Sequence, residues 1–196
     1  MENQPPFLYD RLRKIRYICL EMEKLISILL LSALLLTSCN KDRKPDLSGT
    51  AIIDNELVLD EKLQTYINFG FLFSEAGLAS SAGTPKPDII VFRDGDNISF
   101  EANNLKASFW KFGEYDGEQA AKTAFNNLTS ASPGQWVESA NLLKINQIWL
   151  YRSNAERYAK IRIISIVTED RQDFDYVRCS FEWAYQPDGT LTFPGK

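Results

Sequence analysis

Cys39 is the residue whose neighbours most clearly indicate chemistry. It follows Leu36-Thr37-Ser38, and one large apolar residue, two small residues and a cysteine form the pattern of a bacterial lipobox. In such a motif the small residues fit the signal peptidase, and the cysteine thiol is the nucleophile that accepts diacylglycerol. We therefore predict cleavage before Cys39 and a lipid on its sulfur, which would anchor the protein to a membrane.

The segment before Cys39 has the properties of a signal peptide. Residues 25–36 are apolar except for Ser27 and Ser32. This run is too short for a bilayer, which needs about 20 residues, but it suits the core of a signal peptide. We predict that residues 1–38 are the signal peptide and that Met22 is a better start than Met1. An uncleaved signal anchor and a short core helix are the alternatives.

The rest of the sequence offers little for catalysis. The chain contains no histidine, which excludes Ser-His-Asp and Cys-His catalysis and histidine ligation of metals or haem. It also lacks the G-x-S-x-G, Walker, G-x-G-x-x-G and C-x-x-C motifs. Cys179 shares an apolar strand face with Val177 and Phe181, which favours a buried, inert thiol. We predict that the protein is not an enzyme and has no catalytic residue and no metal site.

Aromatic residues make up 12% of the chain and either fill a core or line an apolar ligand cleft. The four tryptophans are Trp110, Trp136, Trp149 and Trp183. A core position is the more frequent one for such residues, and Trp183 in particular lies on the same apolar strand face as Cys179 and Phe181. We therefore predict that Trp183 belongs to the core.

The overall composition is that of an acidic globular protein. Hydrophobic residues make up 44% and charged residues 24%, and the formal net charge is −4. This charge argues against a nucleic-acid partner, which would favour a basic surface. The polar segment after Cys39 includes Pro45 and Gly49, which is typical of a flexible linker. We predict a tether over residues 39–54 and a folded domain over residues 55–196.

Alternating apolar and polar residues predict an all-β domain, mainly antiparallel and sandwich-like, with one short helix. Strands are expected over residues 147–152 and 158–167, with a bulge or two covered faces where the alternation breaks at residues 163–164. In the following strand, an apolar face that runs from Val177 to Tyr185 alternates with a face that we expect to be solvated.

Further local signals locate the helix and the turns. The helix is expected at residues 116–128, with Asp116 as its N-cap and apolar residues at i, i+4 spacing. The apolar run at residues 88–93 predicts a strand buried on both faces. Pro187-Asp188-Gly189 predicts a turn, after which residues 190–193 are expected to return as an edge strand.

Several segments of the C-terminal third form a recognisable pattern when they are taken together. They are QIWLYR at residues 147–152, YAKIRI at residues 158–163, FEWAYQPDGT at residues 181–190, and Phe193. In this order they resemble a strand, a Y-A-K strand and a terminal Y-Q-P-D-G turn of the HmuY family of surface haem-binding lipoproteins. DIIVFR at residues 88–93 is similar to the W-D-I-A-F-R strand of that family but lacks its tryptophan.

This resemblance implies an all-β, sandwich-like fold with a ligand held between loops at one end. It also implies haem capture at the outer membrane or cell surface and delivery to an outer-membrane transporter. The family holds haem iron with His or Met side chains. This sequence has no His, and Met1 and Met22 both precede the predicted cleavage site. No ligand of the family can therefore be transferred to this chain.

Tyr115 is the candidate iron ligand that remains. The ligand loops of the family would fall between residues 94 and 143, where Tyr115 offers a known type of iron ligand. We therefore expect either haem bound by a different ligand set or another apolar ligand, and no other cofactor is indicated. The alternative is an accessory or structural outer-membrane lipoprotein that acts through protein contacts without a small ligand.

Overall fold

The computed structural model describes residues 46–104, 106–132 and 134–193. The chain divides between residues 44 and 45 into two units, and every described residue belongs to the second. The predicted signal peptide and Cys39 therefore lie outside the described residues. Within the part of the chain that the structure describes, no helix is long and apolar enough to cross a membrane.

The described residues form eleven strands, one α-helix and one turn of 3₁₀-helix. In chain order these are β1 (Ser48–Asp54), β2 (Val58–Asp60), β3 (Thr65–Ile67), β4 (Phe69–Leu72), the 3₁₀ turn (Phe73–Glu75), β5 (Gly77–Ser80), β6 (Ile89–Asp94), β7 (Asn97–Ala102), β8 (Phe109–Glu114), α1 (Glu118–Asn127), β9 (Gln147–Arg152), β10 (Tyr158–Asp170) and β11 (Asp175–Gln186).

The strands pair into three antiparallel sheets. A five-stranded sheet has the order β1-β11-β10-β9-β8, a four-stranded sheet has the order β5-β4-β6-β7, and β2 pairs with β3 alone. This confirms the predicted all-β, mainly antiparallel architecture with one short helix. The predicted irregularity in β10 is also confirmed, because the register with β11 shifts between Ile163 and Ser165.

The main core lies between the five-stranded and the four-stranded sheet. Strands β1 and β11 of the larger sheet contact β4 and β6 of the smaller one. Cys179, Phe181 and Trp183 on β11 pack there against Phe71 and Val91 from the facing sheet. The Trp183 side chain is only 2% exposed, which confirms that it belongs to the core. Burial of alternate residues from two facing sheets is the basis of a sandwich-like fold.

Helix α1 covers the opposite face of the five-stranded sheet. Phe125 on the helix and Leu128 just after it pack against Ile148, Leu150 and Ala184 on the sheet. The prediction of a solvated face on β11 is therefore wrong at Ala184 and at its neighbour on the same face, Glu182, which is 6% exposed. The sequence of β11 alone contains no sign of the helix that covers this face.

Charged side chains are buried beneath this helix. The Lys160 ammonium donates hydrogen bonds to the carbonyl oxygens of Phe125 (2.8 Å) and Leu128 (2.9 Å). The Arg162 guanidinium donates to Glu182 Oε2 from Nε (3.0 Å) and Nη2 (2.9 Å). The last carbonyls of a helix have no partner within the helix, so Lys160 satisfies groups that would otherwise be buried without donors.

The predicted tether over residues 39–54 requires a correction, because residues 48–54 form β1. This strand pairs with β11 along its whole length, from Ser48 opposite Ala184 to Asp54 opposite Arg178. It lies at the edge of the sheet, and Ile53 is its only fully buried residue. The apolar run of this strand is only three residues long, at residues 51–53, and directly follows the polar segment. The folded domain therefore begins earlier than residue 55.

Three further local predictions are wrong. Helix α1 is capped by Gly117 without a side-chain hydrogen bond, so Asp116 is not the N-cap. Residues 190–193 do not form a strand, because Thr192 only bridges to Ser130 in the loop after the helix. Strand β6 is covered on one face, since Ile89 and Val91 are buried whereas Phe92 is 50% exposed.

Candidate binding groove

An apolar groove of about 360 Å³ opens at one end of the sandwich. Its lining combines apolar side chains with a few polar ones, contributed by Asn55, Leu57, Asn68, Val91, Phe92, Arg93, Phe174 and Asp175. These residues follow β1, follow β3, lie on β6 and form the tip between β10 and β11. Ligand pockets have volumes of roughly 300–1,000 Å³, so this groove lies at the lower end of that range.

Polar side chains of the groove hold its walls together. The Asn55 side chain donates from Nδ2 to the Asp175 carbonyl oxygen (2.8 Å), and its Oδ1 accepts from the Val177 amide (2.8 Å). The Asp175 carboxylate accepts a hydrogen bond from the Gly95 amide (2.9 Å). These bonds connect the end of β1, the start of β11 and the turn between β6 and β7.

Two arginines fasten the β10–β11 tip beside the groove. Arg93 forms an ion pair with Asp170 (2.7 Å) and also donates to the Glu169 carbonyl oxygen (3.1 Å). Arg171 pairs with the Glu169 carboxylate (2.9 Å), and its guanidinium carbon lies 3.7 Å from the centroid of the Tyr176 ring. Both guanidinium groups are therefore already engaged with protein partners, and neither is presented as an unpaired cation in the groove.

The β2–β3 hairpin extends the apolar surface beyond the groove. Leu57 precedes this hairpin and Asn68 follows it, so both of its ends line the groove. Its apolar side chains are exposed to an unusual degree, at 48% to 66%, and they are Leu57, Val58, Leu59, Leu63 and Tyr66. Within the described residues, β2 and β3 pair only with each other. Exposed apolar patches of this kind commonly mark binding surfaces.

The segments around the groove carry most of the net negative charge of the described residues. Residues 54–62, 93–96 and 169–178, here called the rim segments, contain ten acidic and four basic side chains. All other described residues together contain eleven acidic and nine basic side chains. The ion pairs of Arg93 and Arg171 occupy Asp170, Glu56 and Glu169. Seven acidic side chains of the rim then remain against two basic ones, so the rim presents an excess of carboxylates to an incoming ligand.

A second, smaller groove lies on the outer face of the four-stranded sheet. It has a volume of about 210 Å³, and Lys86, Pro87, Ile90 and Glu101 are among its lining residues. The Glu101 carboxylate already accepts hydrogen bonds from the hydroxyls of Ser99 and Ser139. Because of its size and its occupied carboxylate, this groove is the weaker candidate for a ligand.

A polar cluster around Asp88 joins β6, β9 and the 3₁₀ turn. The Asp88 carboxylate accepts hydrogen bonds from the Tyr151 hydroxyl (2.9 Å) and from the Phe73 amide (2.9 Å). Burial raises the pKa of Asp88, and these two hydrogen bonds oppose the shift. Burial also raises the pKa of Tyr151, so its phenol remains a donor to the carboxylate. All these bonds are internal, which indicates a structural role.

The described residues contain no group of three or more His, Cys, Asp or Glu side chains placed to hold a metal ion. Cys179, the free cysteine among them, is buried between the two sheets. Burial raises the pKa of its thiol, which keeps the group protonated and poorly nucleophilic. The cysteine has the buried environment that the sequence predicts.

Tyr115, the candidate iron ligand, lies in a different part of the domain. It is partly buried on the helix-covered side of the five-stranded sheet, among residues that pack against Phe125 and Ile148. A Cβ atom at Gly113 would collide with the Tyr115 ring, so the phenol rests directly on that backbone. Tyr115 lines neither of the two grooves described above, and its role as an iron ligand stays a prediction.

The tryptophans separate into two pairs. Trp149 and Trp183 belong to the core between the sheets. Trp110 and Trp136 are half-buried on the helix side, with ring centroids 6.1 Å apart, and the Arg152 guanidinium lies over the Trp136 ring. None of the four lines the apolar groove, so its aromatic residues are Phe92 and Phe174 instead.

No protein-family model matches the chain, and no curated protein is significantly similar to it. The resemblance to the HmuY family therefore stays a prediction. The architecture described above rests on the strand pairing itself, whereas the function has to be inferred from the groove and its surroundings.

Proposed function

We propose that this protein is an exported, lipid-anchored binding protein whose apolar groove receives an apolar ligand. The observation that carries the proposal is the groove between Leu57, Phe92 and Phe174, which continues into the exposed side chains of the β2–β3 hairpin. Burying such surface would contribute about 25 cal/mol per Å², so a ligand that covers it gains affinity without a charged anchor. Attachment through Cys39 would hold this groove at the outer membrane or cell surface.

Binding rather than catalysis fits the polar groups of the groove. Asn55, Arg93 and Asp175 each bond to protein groups, and these bonds hold the surrounding segments in place. A catalytic acid, base or nucleophile needs a free position beside the reacting atom. We therefore assign these side chains to the scaffold of the groove and the apolar ones to ligand contact.

A neutral apolar fluorophore such as N-phenyl-1-naphthylamine tests this proposal. We expect its fluorescence to rise on titration with the whole chain. We expect Phe92→Ser to lower the affinity for the fluorophore by at least about threefold. Leu78→Ser is the matched control, because Leu78 is 60% exposed on β5 and does not line the groove. Absence of binding, or equal loss with both variants, would remove the groove as the ligand site.

Haem is the apolar ligand that the resemblance implies, with Tyr115 as its candidate iron ligand. Because Tyr115 does not line the groove, haem held by Tyr115 would occupy a different site. A haem titration separates the two sites. A Soret shift that Tyr115→Phe abolishes and Phe92→Ser leaves unchanged would support ligation by Tyr115, and an unchanged spectrum with Tyr115→Phe would eliminate it.

The alternative function, an accessory outer-membrane lipoprotein that acts through protein contacts, is favoured by the β2–β3 hairpin. Its exposed apolar side chains extend farther than a small ligand within the groove would cover. In this form of the proposal the groove receives part of another protein, such as a transporter. Failure of every small apolar probe, combined with binding of a protein segment, would decide for this alternative.

A further inference from the structure

We infer that the preferred occupant of the apolar groove is a basic, amphipathic segment of another protein, in which leucine-like side chains alternate with lysine or arginine. This inference rests on the proposed groove and develops the alternative function above, because it names the chemistry of the protein segment that the groove would receive. Three features of the described residues support it: the extent of the apolar surface, the charge around it, and the lack of an unpaired cation among the residues that line the groove.

The extent of the apolar surface favours a polypeptide over a small molecule. The groove itself holds about 360 Å³, whereas the exposed side chains of Val58, Leu59 and Tyr66 lie outside its lining. A compact ligand in the groove would leave the hairpin side chains in water. A peptide segment that enters the groove at Leu57 and continues along the hairpin covers both, which buries more apolar surface.

The charge around the groove determines which peptide is favoured. The rim segments contain six more acidic than basic side chains, whereas the remaining described residues contain an excess of only two. Opposite charges across an interface accelerate encounter and exclude wrong partners, and like charges cost free energy. Lysine or arginine side chains on the incoming segment would meet carboxylates such as Asp96 and Asp173, for which the structure contains no ion pair among the described residues.

The same charge argues against the other occupants. An anionic ligand, such as a fatty acid or the propionates of haem, would need a cation within the groove, but Arg93, the basic residue of the lining, is already paired with Asp170. A second copy of this chain would bring an equally acidic rim to a symmetric interface. An anionic lipid surface would be repelled for the same reason. A basic, amphipathic segment would cover the apolar surface and would also place its cationic side chains beside the acidic rim.

The test uses the full chain with Cys39→Ser, immobilised on a sensor surface, and three synthetic peptides of equal length. One peptide alternates leucine with lysine, and the other two carry glutamine or glutamate in place of lysine. We expect the lysine peptide to bind at least about fivefold more tightly than the glutamine peptide, and the glutamate peptide to bind most weakly. Raising the salt concentration to about 0.5 M should reduce this difference, because it screens exposed charges.

Paired variants separate the apolar from the electrostatic contribution. The double variant Asp96→Asn, Asp173→Asn should lower the affinity for the lysine peptide by about 3- to 10-fold and leave the affinity for the glutamine peptide unchanged. Asp116→Asn with Glu138→Gln removes the same number of charges outside the rim segments and should change neither affinity. Phe92→Ser should lower the affinity for both peptides, whereas Leu78→Ser should change neither affinity. Thermal unfolding of each variant shows that the fold is retained.

The outcomes distinguish this inference from the proposed function. If the neutral fluorophore binds the groove but the lysine peptide has no advantage over the glutamine peptide, the inference is wrong and the proposed function stands. If neither the fluorophore nor any peptide binds, both are wrong. If the lysine peptide binds but Phe92→Ser has no effect, the contact is a non-specific attraction to the acidic rim, and the inference is overturned.

Discussion

Trp183 illustrates how a single residue stabilises the centre of this sandwich. Its ring centroid lies 5.1 Å from that of Phe71 on the facing sheet and 5.9 Å from that of Phe73 on the 3₁₀ turn, so three aromatic side chains meet there. We expect Trp183→Ala to lower the free energy of unfolding by about 3–5 kcal/mol, because it leaves a cavity in a packed core. Urea denaturation measures this value.

Trp136→Ala is the matched control for this prediction, because Trp136 is half-buried on the helix side of the larger sheet. Trp136→Ala should lower the free energy of unfolding by clearly less than Trp183→Ala does. The Trp183 indole nitrogen has no hydrogen-bond partner within the described residues, so Trp183→Phe removes no hydrogen bond and leaves a smaller cavity. We therefore expect Trp183→Phe to lower the free energy of unfolding by less than Trp183→Ala. A loss well below about 1 kcal/mol for Trp183→Ala would show that the side chain is exposed in solution.

Asp88 predicts a pH dependence of stability. Burial raises the pKa of its carboxyl in the folded state, so the folded protein holds this proton more tightly than the unfolded chain does. As the pH rises from the unfolded pKa towards the folded one, the unfolded chain loses its proton first, and the contribution of Asp88 to stability falls. Above the folded pKa the loss is complete and constant.

Comparison of the wild type with Asp88→Asn isolates this effect, because the amide does not titrate. The variant loses part of the hydrogen bonding to Phe73 and Tyr151, which costs about 1–3 kcal/mol. We expect this cost to shrink in denaturation experiments as the pH rises from about 3.8, the ordinary pKa of an aspartate, towards neutrality, because the wild type alone is destabilised by ionisation. A cost that grows over this range would show that the pKa of Asp88 is lowered instead.

At the scale of elements, helix α1 depends on a buried charge beneath it. The Lys160 ammonium donates to the Phe125 and Leu128 carbonyl oxygens and lies over the Phe125 ring at 4.6 Å. Lys160→Met keeps an apolar stem but removes these donors, so we expect a loss of about 2–5 kcal/mol in the free energy of unfolding. Amide hydrogen exchange should accelerate first in helix α1. Lys122→Met, at an exposed position of the same helix, is the control and should change little.

Elements with a regular pattern are predictable from the sequence, and those shaped by distant neighbours are not. Strand β9 has the bounds that its residues predict, and the bulge of β10 follows from the broken alternation at residues 163–164. Glu182 and Ala184 were expected in solvent because local alternation does not reveal a helix that returns from residues 118–127. Strand β1 is not predicted because its short apolar run, residues 51–53, directly follows a polar segment that is typical of a linker.

The groove was missed for a related reason. Leu57, Phe92 and Phe174 come from three segments that are far apart in sequence, so no local spacing connects them. The apolar run at residues 57–59, between acidic residues, was the available signal for an exposed hairpin. Phe92 instead belongs to a run that predicts burial on both faces, and only the tertiary arrangement leaves one face of β6 open.

At the scale of the whole molecule, the proposed functions require that the domain is held at a membrane by its N-terminal end. The net charge of −4 and the acidic rim make attraction of this protein to anionic lipids unfavourable. We therefore propose that the anchor is the predicted lipid on Cys39. Burial of each acyl CH₂ contributes about 0.8 kcal/mol, and two or more chains suffice for stable attachment.

Metabolic labelling with a radioactive fatty acid tests this anchor directly. We expect the wild type to incorporate label and to sediment with membranes, and Cys39→Ser to lose the label and accumulate as an uncleaved precursor or a soluble form. Cys19→Ser is the matched control, because Cys19 precedes the apolar run and should not affect labelling. Label that persists after Cys39→Ser would place the lipid on another residue, and a wild type without label would rule out the lipobox. The apolar groove would survive that result, since it is formed entirely by residues of the folded domain.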